Sequence, residues 1–147
     1  ERHPVLGIGY ANWTAYMRYH HGQMGLPHNI FIQAGAELGY AGLLAFIGMI
    51  VATFVVNHQT RSMLRPLRER GKFMSSMAHG LDAALIGYLV SGFFVTVLYY
   101  PYFWINLAMT VALHNAAKHT VAGHRRAVRA TRATGRRGLV VNPSRVS

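Results

Sequence analysis

Long uncharged stretches alternate with short basic ones along this chain, and the alternation predicts its elements. Leu38 to Thr60 carries no charged residue, and its run from Leu38 to Val56, LGYAGLLAFIGMIVATFVV, is almost wholly apolar. A charge-free apolar run of about 20 residues is long enough to cross a bilayer as a helix. That helix is expected to begin earlier, just after Pro27, because proline suits a first helical turn. Ala83 to Ala117 is also uncharged and long enough for two crossings. Tyr99-Tyr100-Pro101-Tyr102 divides it, with aromatics suited to a membrane interface and a proline suited to a turn. The expected spans are then Leu81–Tyr99 and Tyr102–Ala117, the latter only about 25 Å long, so a tilted or re-entrant final segment is an alternative. The predicted fold is all-α, a polytopic membrane protein with about three transmembrane helices. Its expected order is an outer segment 1–27, a span 28–57, a basic loop 58–80, two spans over 81–117 with a turn near 100, and a basic tail 118–147.

Charge orients this scheme. The 147 residues include 15 Lys and Arg against 4 Asp and Glu, for a formal net charge of +11, although only 13% of residues are charged and 52% are hydrophobic. A basic soluble nucleic-acid binder spreads its charge over a surface in which about a quarter of residues are ionised. Here the basic residues are concentrated instead. Arg2 and Arg18 stand alone before residue 60, and the other thirteen fall within 58–80 and 118–147. The positive-inside rule then places those two regions in the cytoplasm and segment 1–27 outside it. Membrane lipids are the expected partners of the basic regions, each residue near an anionic surface contributing about 1 kcal/mol. Nucleic acid is not, since no aromatic side chain follows Trp104 to interleave with the tail's cations. The tail's composition suggests partial disorder with a basic helix near 117–133. Cysteine is absent, which excludes a disulfide scaffold, Cys-based zinc sites and thiol catalysis. The chain begins at Glu1 with no signal peptide and reads as part of a longer protein.

The outer segment carries the candidate chemistry. It is rich in Gly, His and aromatic residues and runs into the first predicted span at Pro27-His28-Asn29. A helix N-terminus at a membrane surface offers free N–H groups and a positive dipole end, which suit phosphate or a developing oxyanion. His28 therefore stands where a proton can be exchanged with an anionic, lipid-linked substrate. Asn29, Gln33 and Glu37 follow at intervals of four and share one helical face. Gly35 and Gly39 form a small-xxx-small pair, continued by Gly42 and Gly48, which permits close helix packing.

The element His28-Asn29, nine residues, then Gly39-Tyr40-Ala41-Gly42 resembles the signature of the O-antigen ligase and polymerase superfamily. PHNIFIQAGAELGYAGLLAF is similar to that family over its whole length, HPVLGIGYANW (Pro4, Leu6, Gly7, Gly9) resembles the glycine element that precedes it, and LIGYLVSGFFVTVLYYPYFW resembles the final spans. The resemblance implies a C-terminal fragment of an inner-membrane glycosyltransferase with a GT-C-like helical bundle, active on the periplasmic face. It implies transfer of a glycan from an undecaprenyl-pyrophosphate donor to a hydroxyl of lipid A core, of another repeat unit or of a protein, with no metal and no other cofactor. Lipopolysaccharide biosynthesis is the corresponding process. His28 is carried over as the catalytic residue; Arg18, which aligns with no particular family arginine, Asn29, Gln33 and the loop residue His21 are the substrate-binding candidates, with Gly39, Gly42 and Glu37 as structural members of the motif. Arg2 and Arg18 are the only outer arginines available to hold a diphosphate, and the fragment alone is expected to be inactive.

Plainer readings stand beside these. His28 borders a helix whatever its function, and His20 and His21 point in different directions in most backbones and so make a poor metal pair. Nine residues are two and a half helical turns, which puts Glu37 about 180° from His28 and favours a structural carboxylate. Tyr99, Tyr100 and Tyr102 read as an interface belt. Two other classes remain open: a transporter or lipid-handling subunit with a path lined by Glu37 and His28, and a non-catalytic anchor with a basic tail.

Overall fold

The computed structural model describes residues 4–22 and 25–138, and among these every regular element is helical. Arg2 and the last nine residues of the basic tail lie outside the described residues. The elements are α1 (Trp13–His21), α2 (Ile30–Glu37), α3 (Gly39–Leu64), a 3-10 turn (Arg65–Leu67), α4 (Glu69–Gly92) and α5 (Pro101–Gly138).

Helices α3, α4 and α5 form a three-helix bundle. The inward side chains of α3 are Phe46, Ile50, Thr53, Asn57, Thr60 and Leu64, spaced alternately by four and three. Ala78, Leu81 and Leu85 do the same on α4, and Phe103, Asn106, Thr110, Leu113 and Ala117 on α5. That 3.5-residue period keeps one seam of each helix facing its neighbours. Phe46 meets Phe103 with ring centroids 5.0 Å apart, and Thr60 meets His114 farther down. Both pairings advance along the chain together, so α3 and α5 run in the same direction with α4 antiparallel to both. The upper seam is apolar, and the lower seam interleaves Thr53, Asn57, Thr60, Asn106 and Thr110 with apolar residues such as Leu64, Leu81 and Leu113.

Two helical stretches, Gly39–Leu67 and Glu69–Gly92, are long and apolar enough to cross a membrane. Only 22% and 17% of their apolar windows are buried, which is unlike the core helix of a soluble domain. Leu44, Ile47, Val51 and Val55 of α3 and Ile86 and Val90 of α4 point outward.

Several expected boundaries are corrected. The span predicted over 28–57 is two helices, broken between Glu37 and Gly39, because Gly39 takes a positive φ of 70° and another chain segment packs into the break. The region 58–80 is not a loop: α3 continues to Leu64 and α4 starts at Glu69. Arg, Lys, Met and Ala sustain a helix beyond its apolar part, and the reversal is confined to Pro66 and Arg68, the latter at φ 46°. The span expected to end at Tyr99 stops at Gly92. A Cβ at Gly92 would sit 3.1 Å from Ile30 Cγ2, so the residue lets α2 approach closely. Residues 93–100 then form an irregular link. Thr96 Oγ1 donates to Pro27 O at 2.8 Å and the Tyr88 hydroxyl donates to Val97 O at 2.8 Å. Pro101 opens α5 rather than making the turn.

The third expected span is not sustained. Helix α5 runs unbroken for 38 residues, and its apolar part, interrupted by Asn106, Thr110, His114 and Asn115, passes directly into the basic stretch. The described helices long and apolar enough to cross therefore number two, not three.

Candidate functional site

The break between α2 and α3 is held by the segment 4–9. A broken helix leaves carbonyls free at one new end and N–H groups at the other. Ile8 N donates to Ala36 O and Gly9 N to Glu37 O, each at 2.9 Å, which satisfies the end of α2. Tyr40 N donates to Pro4 O at 2.9 Å and Ala41 N to Val5 O at 3.3 Å, which satisfies the start of α3. The fit depends on glycine. Gly7 lies at φ 69°, and a Cβ there would fall 2.5 Å from the Glu37 carbonyl and from Gly39 N. A Cβ at Gly39 would fall 2.6 Å from Gly7 N. The upstream glycine element and the first motif glycine thus form one backbone clasp. A Cβ at Gly42 would overlap the Leu38 side chain just after the break.

Glu37 lies beneath this clasp and is 2% exposed. Its Oε1 accepts the Trp13 backbone N–H at 3.0 Å, at the start of α1. Its Oε2 accepts the Tyr99 hydroxyl and, at 3.3 Å, Gln33 Nε2. One carboxylate therefore joins α1, α2 and the 93–100 link. Burial, and then the Glu37 carboxylate beside it, hold the Tyr99 phenol well above its ordinary pKa. The Trp13 indole N–H donates to Gly25 O at 2.9 Å and ties the loop before Pro27 to the same assembly.

The candidate site residues separate into two groups. Glu37, Gln33, Gly39 and Gly42 are in the clasp and its polar base. His28, Arg18 and His21 are exposed, and among the described residues no hydrogen bond or ion pair joins them to one another. Arg18 and His21 are on α1, where the His20 ring packs against Tyr16 and Tyr19 at centroid distances of 4.4 and 4.9 Å. His28 directly precedes the N-cap of α2. Asn29 is that cap, its Oδ1 accepting from Phe31 N at 2.9 Å and Ile32 N at 3.1 Å. The cap fixes the helix entry and so the place at which the His28 imidazole is presented. Gln33 Oε1 is buried without a partner and lines a cavity of about 160 Å³ with Thr96, Leu98, Tyr99 and Tyr100. No group of three or more His, Cys, Asp or Glu able to hold a metal occurs among the described residues.

Sequence reasoning missed Trp13 and misread Tyr99. Tyr99 belongs to the polar base rather than to an exposed belt, while Tyr100 and Tyr102 are exposed. Their links to Glu37 bridge 24 and 62 residues, and no local spacing signals either one. The lower seam of the bundle was missed as well. Asp82 accepts from Asn57 Nδ2 at 2.7 Å and pairs with Arg61, Thr60 Oγ1 meets His114 Nδ1 at 2.8 Å, and Asn106 Nδ2 donates to Leu81 O at 3.0 Å. Its signal was present in the 3.5-residue period, which hydropathy averaging hides.

No protein family, no curated protein and no solved structure matches the chain.

Proposed function

We propose that this chain is the C-terminal part of an O-antigen ligase-like glycosyltransferase. In this reading it lies in a bacterial inner membrane within a larger GT-C-like bundle, and the full-length parent transfers a glycan from an undecaprenyl-pyrophosphate donor to an acceptor hydroxyl at the periplasmic face. The observation that supports it most is the ordered element His28-Asn29-x9-Gly39, together with the work each part does in the fold. Gly39 joins the upstream glycine segment in the clasp, Asn29 caps α2, and His28 is left exposed at the helix entry. The two glycine elements resemble the family in sequence order, and here they touch.

The chemistry is consistent with these positions. Breaking a sugar–diphosphate bond places charge on phosphate oxygens, which cations and helix N–H groups stabilise. The attacking hydroxyl loses a proton, which the His28 imidazole accepts. Arg18, exposed on α1 without an acidic partner, is the described outer cation available to the diphosphate. Glu37 is enclosed by three donors, which argues against the alternative of an ion path lined by Glu37 and His28. The acceptor, whether lipid A core, a further repeat unit or a protein, is left open by this reading.

The test is His28→Ala in the membrane-inserted parent protein, measuring glycan transfer alongside insertion. Loss of transfer by about 100-fold or more with normal insertion is expected for a lost general base. Wild-type transfer by this variant would refute the catalytic role.

A further inference from the structure

A second binding feature lies at the opposite end of the bundle, and its argument does not rest on glycan transfer. The chain has only 4 acidic residues. Glu1 lies outside the described residues, Glu37 is enclosed beneath the clasp, Glu69 pairs with Lys72, and Asp82 pairs with Arg61. Helix α5 contains no acid at all, yet from its middle onward it carries Lys118, Arg125, Arg126, Arg129 and Arg132. Lys118, Arg125, Arg129 and Arg132 are separated by seven, four and three residues, so they share one face. No ion pair within the chain involves any of them among the described residues.

That face borders a groove of about 480 Å³ where α5 passes the last turn of α3. Its floor is apolar, formed by Met63, Val121 and Ala122, and its rim is cationic, formed by Lys118, Arg125, Arg126 and Arg129. Apolar floor and cationic rim together match an amphiphile: a phosphate with hydrocarbon attached. The large outward-facing apolar residues of α3 end at Val55, and on α5 only Val128 among the described residues follows Val111, so the groove lies just past the main apolar surface of the bundle. A nucleic acid would meet no aromatic stacking surface on this half of the helix.

We infer that the groove between the end of α3 and the basic half of α5 is a binding site for an anionic phospholipid headgroup. The Arg125 and Arg129 guanidinium groups bind the phosphate oxygens as planar donors, and Met63 and Val121 receive the first methylenes of the chains.

The test uses the full chain in a neutral detergent at about 0.15 M salt, titrated with phosphatidylglycerol or with phosphatidylcholine, bound lipid being counted by native mass spectrometry. Phosphatidylglycerol should bind at least tenfold more tightly than phosphatidylcholine. The triple variant K118Q/R125Q/R129Q should lose about 100-fold in phosphatidylglycerol affinity, since each cation near an anionic surface contributes about fivefold. The control R65Q/R68Q/R70Q removes the same charge from the α3–α4 turn and should lose less than tenfold. Circular dichroism checks that both variants keep their helices. Equal binding of the two lipids, or equal loss in both triple variants, would overturn the proposal. So would the same thermal stabilisation from inorganic phosphate as from phosphatidylglycerol, which would mark a free-anion site. Tighter binding of a single-stranded oligonucleotide than of phosphatidylglycerol would reassign the groove to nucleic acid.

Discussion

Replacing Glu37 should separate its hydrogen bonding from its bulk. The carboxylate accepts from Trp13 N–H, the Tyr99 hydroxyl and Gln33 Nε2. Glu37→Leu removes every acceptor and leaves the donors buried. Hydrogen bonds to a charged group contribute about 1.5–3 kcal/mol each, so the Trp13 and Tyr99 bonds alone put the loss at about 3–6 kcal/mol. Gln33, at 3.3 Å, adds little. Glu37→Gln should cost far less. Its carbonyl oxygen still accepts from Trp13, and its new NH₂ group can donate to the Tyr99 oxygen and to Gln33 Oε1, which has no partner in the native protein. Only the difference between charged and neutral hydrogen bonds is lost, about 1–2 kcal/mol. Reversible unfolding in detergent measures both variants. Amide exchange at Ile8, Gly9 and Trp13 reports whether segment 4–9 and α1 come loose together, as the shared carboxylate requires. Equal costs for the two variants, or protection at Trp13 unchanged in Glu37→Leu, would show that the carboxylate does not join these elements.

Other consequences are as direct. Gly39→Ala should destabilise by more than about 2 kcal/mol, since a left-handed backbone costs an L-residue about 1–2 kcal/mol and its Cβ would meet Gly7 N at 2.6 Å. Gly48→Ala, in helix α3 with nothing within 4 Å of the added carbon, should instead stabilise by about 0.5–1 kcal/mol, and thermal unfolding distinguishes the two. Asp82→Leu should cost about 3–5 kcal/mol by leaving the mostly buried Arg61 unpaired, whereas R61M/D82L should recover the ion-pair part of that loss in a double-mutant cycle and retain about 1–3 kcal/mol for the buried Asn57 amide left without its acceptor. The Tyr99 phenol is raised above its ordinary 10.0, so the stability it contributes is complete below pH 10 and is lost as pH rises through its folded pKa. Alkaline unfolding should therefore set in at different pH in Tyr99→Phe and the native chain, and coincident curves would contradict this.

The helical class was legible in the sequence because uncharged runs of sufficient length need no tertiary information. Helix ends were not legible where charge was taken as a stop. Arg61, Arg65 and Lys72 are compatible with helix, so α3 and α4 extend to a turn set by Pro66 and Arg68. The break at Gly39 was hidden for the opposite reason. GAELGYAG reads as good helix, and the positive φ is stabilised by residues 4–9, about thirty positions upstream. Of the candidate site, the sequence placed Asn29 at a helix entry and joined Gln33 to Glu37 on one face, and both relations occur. Tyr99 and Trp13 reach the same carboxylate only through the bundle's packing. The polar seam was readable in principle, since Thr53, Asn57 and Thr60 continue the spacing of Phe46 and Ile50.

The unbroken course of α5 has a mechanical consequence. After Pro101 no proline interrupts its 38 residues, which amount to a rod about 57 Å long. Its first residue directly follows the Tyr99-Tyr100 link, while its far half carries the cationic face. A rod without a hinge converts a small tilt at one end into a larger displacement at the other. The orientation of the 93–100 link and the heading of the basic half are therefore geometrically bound to each other: neither can be reset without moving the other or bending the helix between them.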